Sequence, residues 1–186
     1  MRIISGKARG TKLYTLDGND ITRPTLDRIK ESLFSIIQEK LIDSIVLDLF
    51  AGSGALGLES ISRGAEKAYL CDKNKKSIEI IKKNIQKCHM ENETTVIFDD
   101  FKKCIEKINQ KVDIIFIDPP YESNLAIEAV KQILKQNILN NKSLIIIETD
   151  DELREINQIR DLKNIKIIDT RKYGRVKLIF LNRKGI

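Results

Sequence analysis

The sequence predicts an α/β fold in which a mostly parallel sheet carries helices on both faces and ends in an antiparallel hairpin. Three observations carry that expectation. Ile45-Val46-Leu47, Ala68-Tyr69-Leu70-Cys71, the run from Val112 to Ile117 and Leu144-Ile145-Ile146-Ile147 are nearly unbroken apolar runs, as strands buried on both faces require. Segments of helical period separate these runs, and crossovers of that length make neighbouring strands parallel. Near the end of the chain the pattern changes. Ile165, Ile167 and then Val176, Leu178, Phe180 alternate at period two on either side of Tyr173-Gly174, with no helix between them, which is a hairpin closing the sheet edge.

Taken in order, residues 1–16 mix arginine and lysine with β-forming residues around Gly6 and Gly10, and predict a small glycine-turned hairpin arm outside the main sheet. A helix should follow from Arg23-Pro24-Thr25, because Pro24 disfavours helix before it, Thr25 can cap and Asp27 complements the N-terminal dipole. Leu26, Ile29, Leu33, Ile36 and Ile37 would form its buried face, leaving Arg23, Arg28 and Lys30 for a partner or for water. The series then reads strand 45–48, helix 54–63, strand 67–72, helix 74–88, strand 94–98, helix 100–108, strand 112–117, helix 124–136 and strand 144–147. The expected organisation is a basic β-hairpin arm over residues 1–22 and one main domain over residues 23–186.

At 186 residues the chain fits a single domain whose core needs neither disulfides nor metals. With 41% apolar and 32% charged residues, and no apolar run near the roughly 18 residues of a membrane span, no membrane association is expected. Met1-Arg2-Ile3-Ile4-Ser5-Gly6 enters charged sequence without an apolar leader, which points to the cytoplasm. Cys71, Cys88 and Cys104 have no metal-ligand spacing and His89 is the single histidine, so no metal site is expected; Cys88-His89 reads as a core thiol beside a surface imidazole. The formal charge of +6 suggests a polyanionic partner. Its distribution sharpens this, since Arg2, Lys7, Arg9, Lys12, Arg23 and Arg28 cluster in the first thirty residues as a candidate phosphate-tracking surface.

The candidate site begins where the first strand breaks into Asp48-Leu49-Phe50-Ala51-Gly52-Ser53-Gly54. Gly52 and Gly54 let the backbone turn sharply and approach a ligand, and Gly57 lets the next helix approach the sheet. The second strand ends at Asp72, twenty residues after Gly52, where a ribose-binding carboxylate is expected. This much also satisfies the fingerprint of a nicotinamide dehydrogenase. The third motif, Asp118-Pro119-Pro120-Tyr121, separates the two. The exocyclic amine of a nucleobase is a weak nucleophile because its lone pair is delocalised into the ring. A carboxylate beside a fixed carbonyl can accept both N–H groups and aim the lone pair at an electrophilic methyl. Asp118 and the Pro119 carbonyl suit those roles, the two prolines stiffen the turn, and Tyr121 offers a face for stacking an extruded base.

Asp118-Pro119-Pro120-Tyr121 resembles the (D/N)PP(F/Y) motif of amino-methyltransferases. The antiparallel ending resembles the seven-stranded sheet of the Rossmann-like class I methyltransferases. Arg2 to Gly10, Arg23 to Glu31 and Leu49 to Glu59 are together similar to the bacterial RsmD family of 16S ribosomal RNA guanine-N2 methyltransferases, over nearly the whole chain. That resemblance implies an enzyme that transfers methyl from S-adenosyl-L-methionine to the N2 amine of a guanine in 16S ribosomal RNA of the small subunit; separately, a monomer is expected. It implies that Asp48, Phe50, Ala51, Gly52, Ser53 and Gly54 enclose the methionine part of the cofactor, that Asp72 takes the ribose hydroxyls, and that Asp100, with Asp99 as rival, takes the adenine amine. Two departures stand out: Asp72 replaces the usual Glu of the family, and Asn74 replaces an Asp. No role carries over to Arg175 and Lys177. The competing readings are an adenine-N6 methyltransferase of DNA or RNA sharing the same motif, and a non-catalytic RNA-binding assembly factor.

Overall fold

A computed structural model describes residues 1–16, 24–120 and 124–184, with only the backbone for residues 24–26. Arg23 and Tyr121, both singled out above, lie outside the described residues. Strands β1 (Ile45–Asp48), β2 (Lys67–Asp72), β3 (Thr94–Phe98), β4 (Val112–Ile117), β5 (Leu139–Thr149), β6 (Ile165–Tyr173) and β7 (Val176–Arg183) form one sheet in the order β3-β2-β1-β4-β5-β7-β6. Every pair up to β5 is parallel, and β7 runs antiparallel to both β5 and β6. This is the Rossmann-like class I methyltransferase arrangement that the resemblance implied.

Alternation along the strands supplies two cores. Val46, Leu70, Phe116, Ile146 and Phe180 face one layer, built from α1 (Pro24–Ile37), α2 (Ala55–Ser62) and α3 (Lys75–Cys88). Leu47, Cys71, Ile115, Ile147 and Leu181 face the other, built from α4 (Phe101–Glu106), α5 (Leu125–Gln136) and α6 (Glu152–Arg160). The close seat of α2 depends on Gly57, where a Cβ would stand 2.1 Å from the Leu70 side chain.

The hairpin arm is present and is tied down. Arg2 and Lys12 form an antiparallel bridge, and Ile3 and Leu13 are buried in the first core layer. The arm sits on α2 mainly through main-chain groups. The Ile4 and Ser5 N–H groups donate to the Glu59 carboxylate at 2.8 and 3.0 Å. The Lys7 N–H donates to the Ser62 carbonyl at 2.8 Å, and the Ala8 N–H to the Ser62 hydroxyl at 3.0 Å. A Cβ on Gly6 would fall 1.7 Å from the Ser62 carbonyl oxygen, so only glycine fits there.

Four expectations need correction. Helix α1 begins at Pro24 itself, a first-turn position where the missing N–H costs nothing, so Thr25 is inside the helix rather than before it. Its buried arc runs from Ile29 and Leu33 round to Phe34, which is fully buried, and leaves Ile36 at the rim, 41% exposed. Lys30 lies inside that arc and is not available to a partner: it is 5% exposed, pairs with Glu59 at 3.1 Å and donates to the Arg2 carbonyl. Burial lowers its pKa, against the pull of Glu59. The fourth correction is at the other end, where β5 starts at Leu139 instead of Leu144 and is followed by the unforeseen α6. The early part of β5 is irregular, with a register shift against β4 between Val112 and Ile114, and the Ser143 hydroxyl donates to the Val112 carbonyl at 2.6 Å.

Candidate active site

The strand order reverses at β1. The chain moves outward through β2 and β3 and then returns to the other side of β1 as β4, so the carboxyl ends of β1 and β4 open a crevice. A cavity of about 630 Å³ occupies that crevice. Phe50, Gly52, Asp72, Asp118, Pro119 and Pro120 all line it, as do both Asp99 and Asp100. From the opposite side the arm and α1 contribute Met1, Leu16 and Leu33.

The glycine loop takes its shape from left-handed backbone at Gly52 (φ 56°) and Gly54 (φ 80°). A Cβ on Gly52 would meet nothing within 4 Å, so the open space beside it belongs to the cavity. Asp72 straps this loop to β2: one carboxylate oxygen accepts from the Gly52 N–H at 2.9 Å and the other from the Asn74 N–H at 2.8 Å. Asn74 in turn caps α3 by accepting from the Lys76 N–H, which is a helix-start task that asparagine performs as well as aspartate.

Asp48, Ala51, Ser53 and Gly54 stand behind the lining. Asp48 is 1% exposed and accepts from the Gly57 N–H at 3.3 Å, inside the first turn of α2. Its pKa is raised to about 7, first by burial, with the Gly57 hydrogen bond opposing and the charge of Asp72 adding to the rise. The Ser53 carbonyl accepts from the Asn84 amide at 2.8 Å. Asn84 is fully buried, and the same side chain accepts from the Tyr14 N–H at 2.8 Å and donates to the Tyr14 carbonyl at 3.0 Å. A single amide therefore connects the arm to the glycine loop.

Asp99 and Asp100 differ in how they are engaged. Asp99 pairs with Lys107 at 3.0 Å and with Lys103 at 3.6 Å, and the Lys107 hydrogen bond is the main reason its pKa is lowered. Asp100 caps α4, with Oδ1 accepting from the Lys102 and Lys103 N–H groups, while its other oxygen has Lys103 at 3.9 Å.

At the end of β4, Asp118 is partly buried, and its carboxyl is pushed well up, first by burial and then by the charges of Glu148 and Asp48. Glu148 lines the same cavity from the end of β5, where the register of Ile117 against Ile147 sets it beside Asp118. The strand-end rule that singled out Asp48, Asp72 and Asp118 would have found Glu148 had it been applied to β5. Phe101 was also missed. It lines the cavity and packs on Phe50 with ring centroids 5.7 Å apart.

The basic candidates are dispersed. Arg2, Lys7, Arg9, Lys12 and Arg28 are all exposed. Arg2 lies 3.7 Å from Asp27, and Lys7 pairs with Glu93 at the turn end of the arm, beside the end of α2 remote from the glycine loop. Among the described residues no group of three or more His, Cys, Asp or Glu could hold a metal ion, and no helix is long and apolar enough to cross a membrane.

The family model described as "Conserved hypothetical protein 95" matches residues 1–182. The chain is 37% identical over 155 residues to "Ribosomal RNA small subunit methyltransferase D" of Haemophilus influenzae, covering 82% of this chain and 80% of that protein. It is 34% identical over 152 residues to the Escherichia coli K12 protein of the same name, covering 82% and 76%. The chain belongs to the RsmD methyltransferase family. The solved structure of the Escherichia coli protein yhhF superposes with a TM-score of 0.84 at 28% identity, covering 100% of this chain and 99% of that one. The cavity of this RsmD-family chain thus sits where two motifs converge that are far apart in sequence, the glycine loop after β1 and the Asp-Pro-Pro turn after β4.

Proposed function

We propose that this chain transfers a methyl group from S-adenosyl-L-methionine to the exocyclic N2 amine of a guanine in 16S ribosomal RNA of the small subunit. One observation carries the reading: the Asp118-Pro119-Pro120 turn and the Gly52 loop line a single cavity at the switch point of the sheet. The names of the relatives support the RNA target.

The donor set fits this cofactor. Asp72, Asp99, Asp100, Asp118 and Glu148 make the lining acidic, which suits a molecule carrying sulfonium and ammonium charges, and the backbone at Gly52 leaves room for close approach. When bound, the cofactor supplies an electrophilic methyl group on sulfur. Gly52 and Phe50 enclose its amino-acid part. Asp72 takes the ribose hydroxyls on the lone pairs its two backbone bonds leave. Asp100, through the carboxylate oxygen not used in capping, takes the adenine amine beside the Phe101 ring. Asp48 serves from behind, holding the first turn of α2 against β1.

Asp118 and the Pro119 carbonyl accept the two N–H groups of the guanine amine, so that its lone pair points at the methyl. The raised pKa of Asp118 has a kinetic signature. Ionised Asp118 is the competent acceptor, so kcat/KM rises with pH until that carboxyl is ionised in the free enzyme. The test is tritiated methyl transfer to 16S ribosomal RNA, small subunits and DNA in parallel, with Asp118→Ala beside wild type. Wild type should label RNA at the guanine amine, and Asp118→Ala should be slower by at least about a hundredfold with cofactor binding retained. Labelling of DNA adenine instead, or an Asp118→Ala enzyme of wild-type rate, would refute the reading.

A further inference from the structure

Helix α3 carries Lys75, Lys76, Lys82, Lys83 and Lys87 against a single acid, Glu79. At about 100° per residue, Lys76, Lys83 and Lys87 fall on one stripe, which spans about 16 Å along the axis. All three are exposed, and among the described residues none is in an ion pair. Lys7, Lys102, Lys103, Lys107 and Lys172, by contrast, each have a carboxylate partner. With five lysines against Glu79, α3 keeps an excess of positive charge.

The stripe has a direction. Near its first end Asn74 and Ser77 line the cavity, and at its last end the Lys87 ammonium lies 4.3 Å from the centre of the Tyr14 ring. Tyr14 is an unusual surface aromatic. Its backbone N–H and carbonyl are both held by the buried Asn84 amide, yet the residue is 51% exposed. A buried polar side chain is thus committed to fixing the backbone of a residue whose ring is half exposed, with Lys87 against it. Two residues further on, Leu16 lines the cavity.

We propose that Tyr14 and the Lys76, Lys83, Lys87 stripe form the track along which single-stranded RNA enters the active site. An exposed aromatic ring on a fixed backbone stacks one base without regard to its identity, and ammonium groups in a row follow the phosphates. This surface rests on the ribosomal RNA reading above and extends it, and it locates the main charge contacts on α3 rather than at the turn end of the arm, where Lys7 is already neutralised.

The test uses the intact chain and a fluorescently labelled single-stranded RNA, with salt titrations, cofactor calorimetry and methylation of small subunits measured together. Replacing all three lysines by Gln should weaken RNA binding at least tenfold and lower the log–log salt slope by about 2, at about 0.7 per phosphate contact. Tyr14→Ala should weaken binding about tenfold, whereas Tyr14→Phe should match wild type, because stacking needs the ring and not the hydroxyl. Both effects should raise KM for small subunits and leave kcat and cofactor affinity unchanged. A wild-type slope in the triple variant, or equal losses in Tyr14→Ala and Tyr14→Phe, overturns the track while wild-type methylation of RNA keeps the enzymatic reading intact. A triple variant that binds RNA normally but loses an acidic ribosomal protein instead overturns it in favour of a protein partner. Failure of wild type itself to methylate RNA removes both.

Discussion

Asp48→Asn isolates an acid whose titration is tied to folding. The Asp48 carboxyl is fully buried and rises from its ordinary 3.8 to about 7. Between those values the folded chain holds a proton that the unfolded chain has released, so stability is full at low pH and falls as pH rises through the window from about 4 to about 7. At about 1.4 kcal/mol per pH unit, that interval amounts to a loss on the order of 4 kcal/mol above pH 7. Asparagine removes the titration, and its amide oxygen can still accept from the Gly57 N–H. Urea denaturation between pH 4.5 and 8 should therefore give converging stabilities at the acid end and a more stable variant at the alkaline end. Some downward slope should persist in the variant, because Asp118 is pushed up as well, by burial and by Glu148. Parallel curves for the two proteins would refute the reasoning, since they would mean that Asp48 is ionised in the folded chain throughout.

Three further outcomes follow from the geometry. Asp72→Ala should weaken S-adenosylmethionine binding by about 1.5–3 kcal/mol, the worth of a charged hydrogen-bond acceptor, and calorimetry showing unchanged affinity would remove Asp72 from the site. Neutralising Arg2, Lys7, Arg9 and Lys12 together should reduce the salt slope of RNA binding by less than the 0.7 to 0.9 per residue of four free phosphate contacts, because Lys7 already has Glu93; a loss of the full four would show that this pair breaks for RNA. Glu59→Ala should destabilise the chain by about 3–5 kcal/mol, because it strands the buried Lys30 and frees two arm N–H groups, and a melting temperature within a degree or two of wild type would contradict that.

The parts of this fold that were legible in sequence are those where one local pattern decides one local structure. Buried parallel strands need unbroken apolar runs, and Val112 to Ile117 could hardly be anything else. Glycine in a strand-to-helix break permits the positive φ seen at Gly52 and Gly54 and the tight approach at Gly57. Helix α6 was not legible because its helical stripe is thin: Leu153 is 72% exposed, and the buried side is made by Ile159 together with the charged Glu155. Lys30 and Glu59 were misread or passed over for a related reason. A charged residue in a helix is assigned to solvent by default, and only the three-dimensional meeting of α1, α2 and the arm shows that these two face each other. Asp48 shows what spacing leaves open: the motif puts it at the end of β1, and only the structure shows its carboxylate accepting from the Gly57 N–H, outside the cavity lining.

The way the arm is fastened frees its outer surface. Glu59 and Ser62 grip peptide groups of residues 4, 5, 7 and 8, and Gly6 meets Ser62 with no side chain at all. The side chains that do anchor the arm are the buried Ile3 and Leu13, Met1 and Ala8 against the core, and the ion pairs of Arg2 and Lys7, which leaves Arg9 and Lys12 outside the seat. Arg9 and Lys12, exposed and outside these contacts, can therefore be exchanged for residues of other charge or size without loosening the domain, so the charge of the arm's outer face is set independently of the fold that carries it.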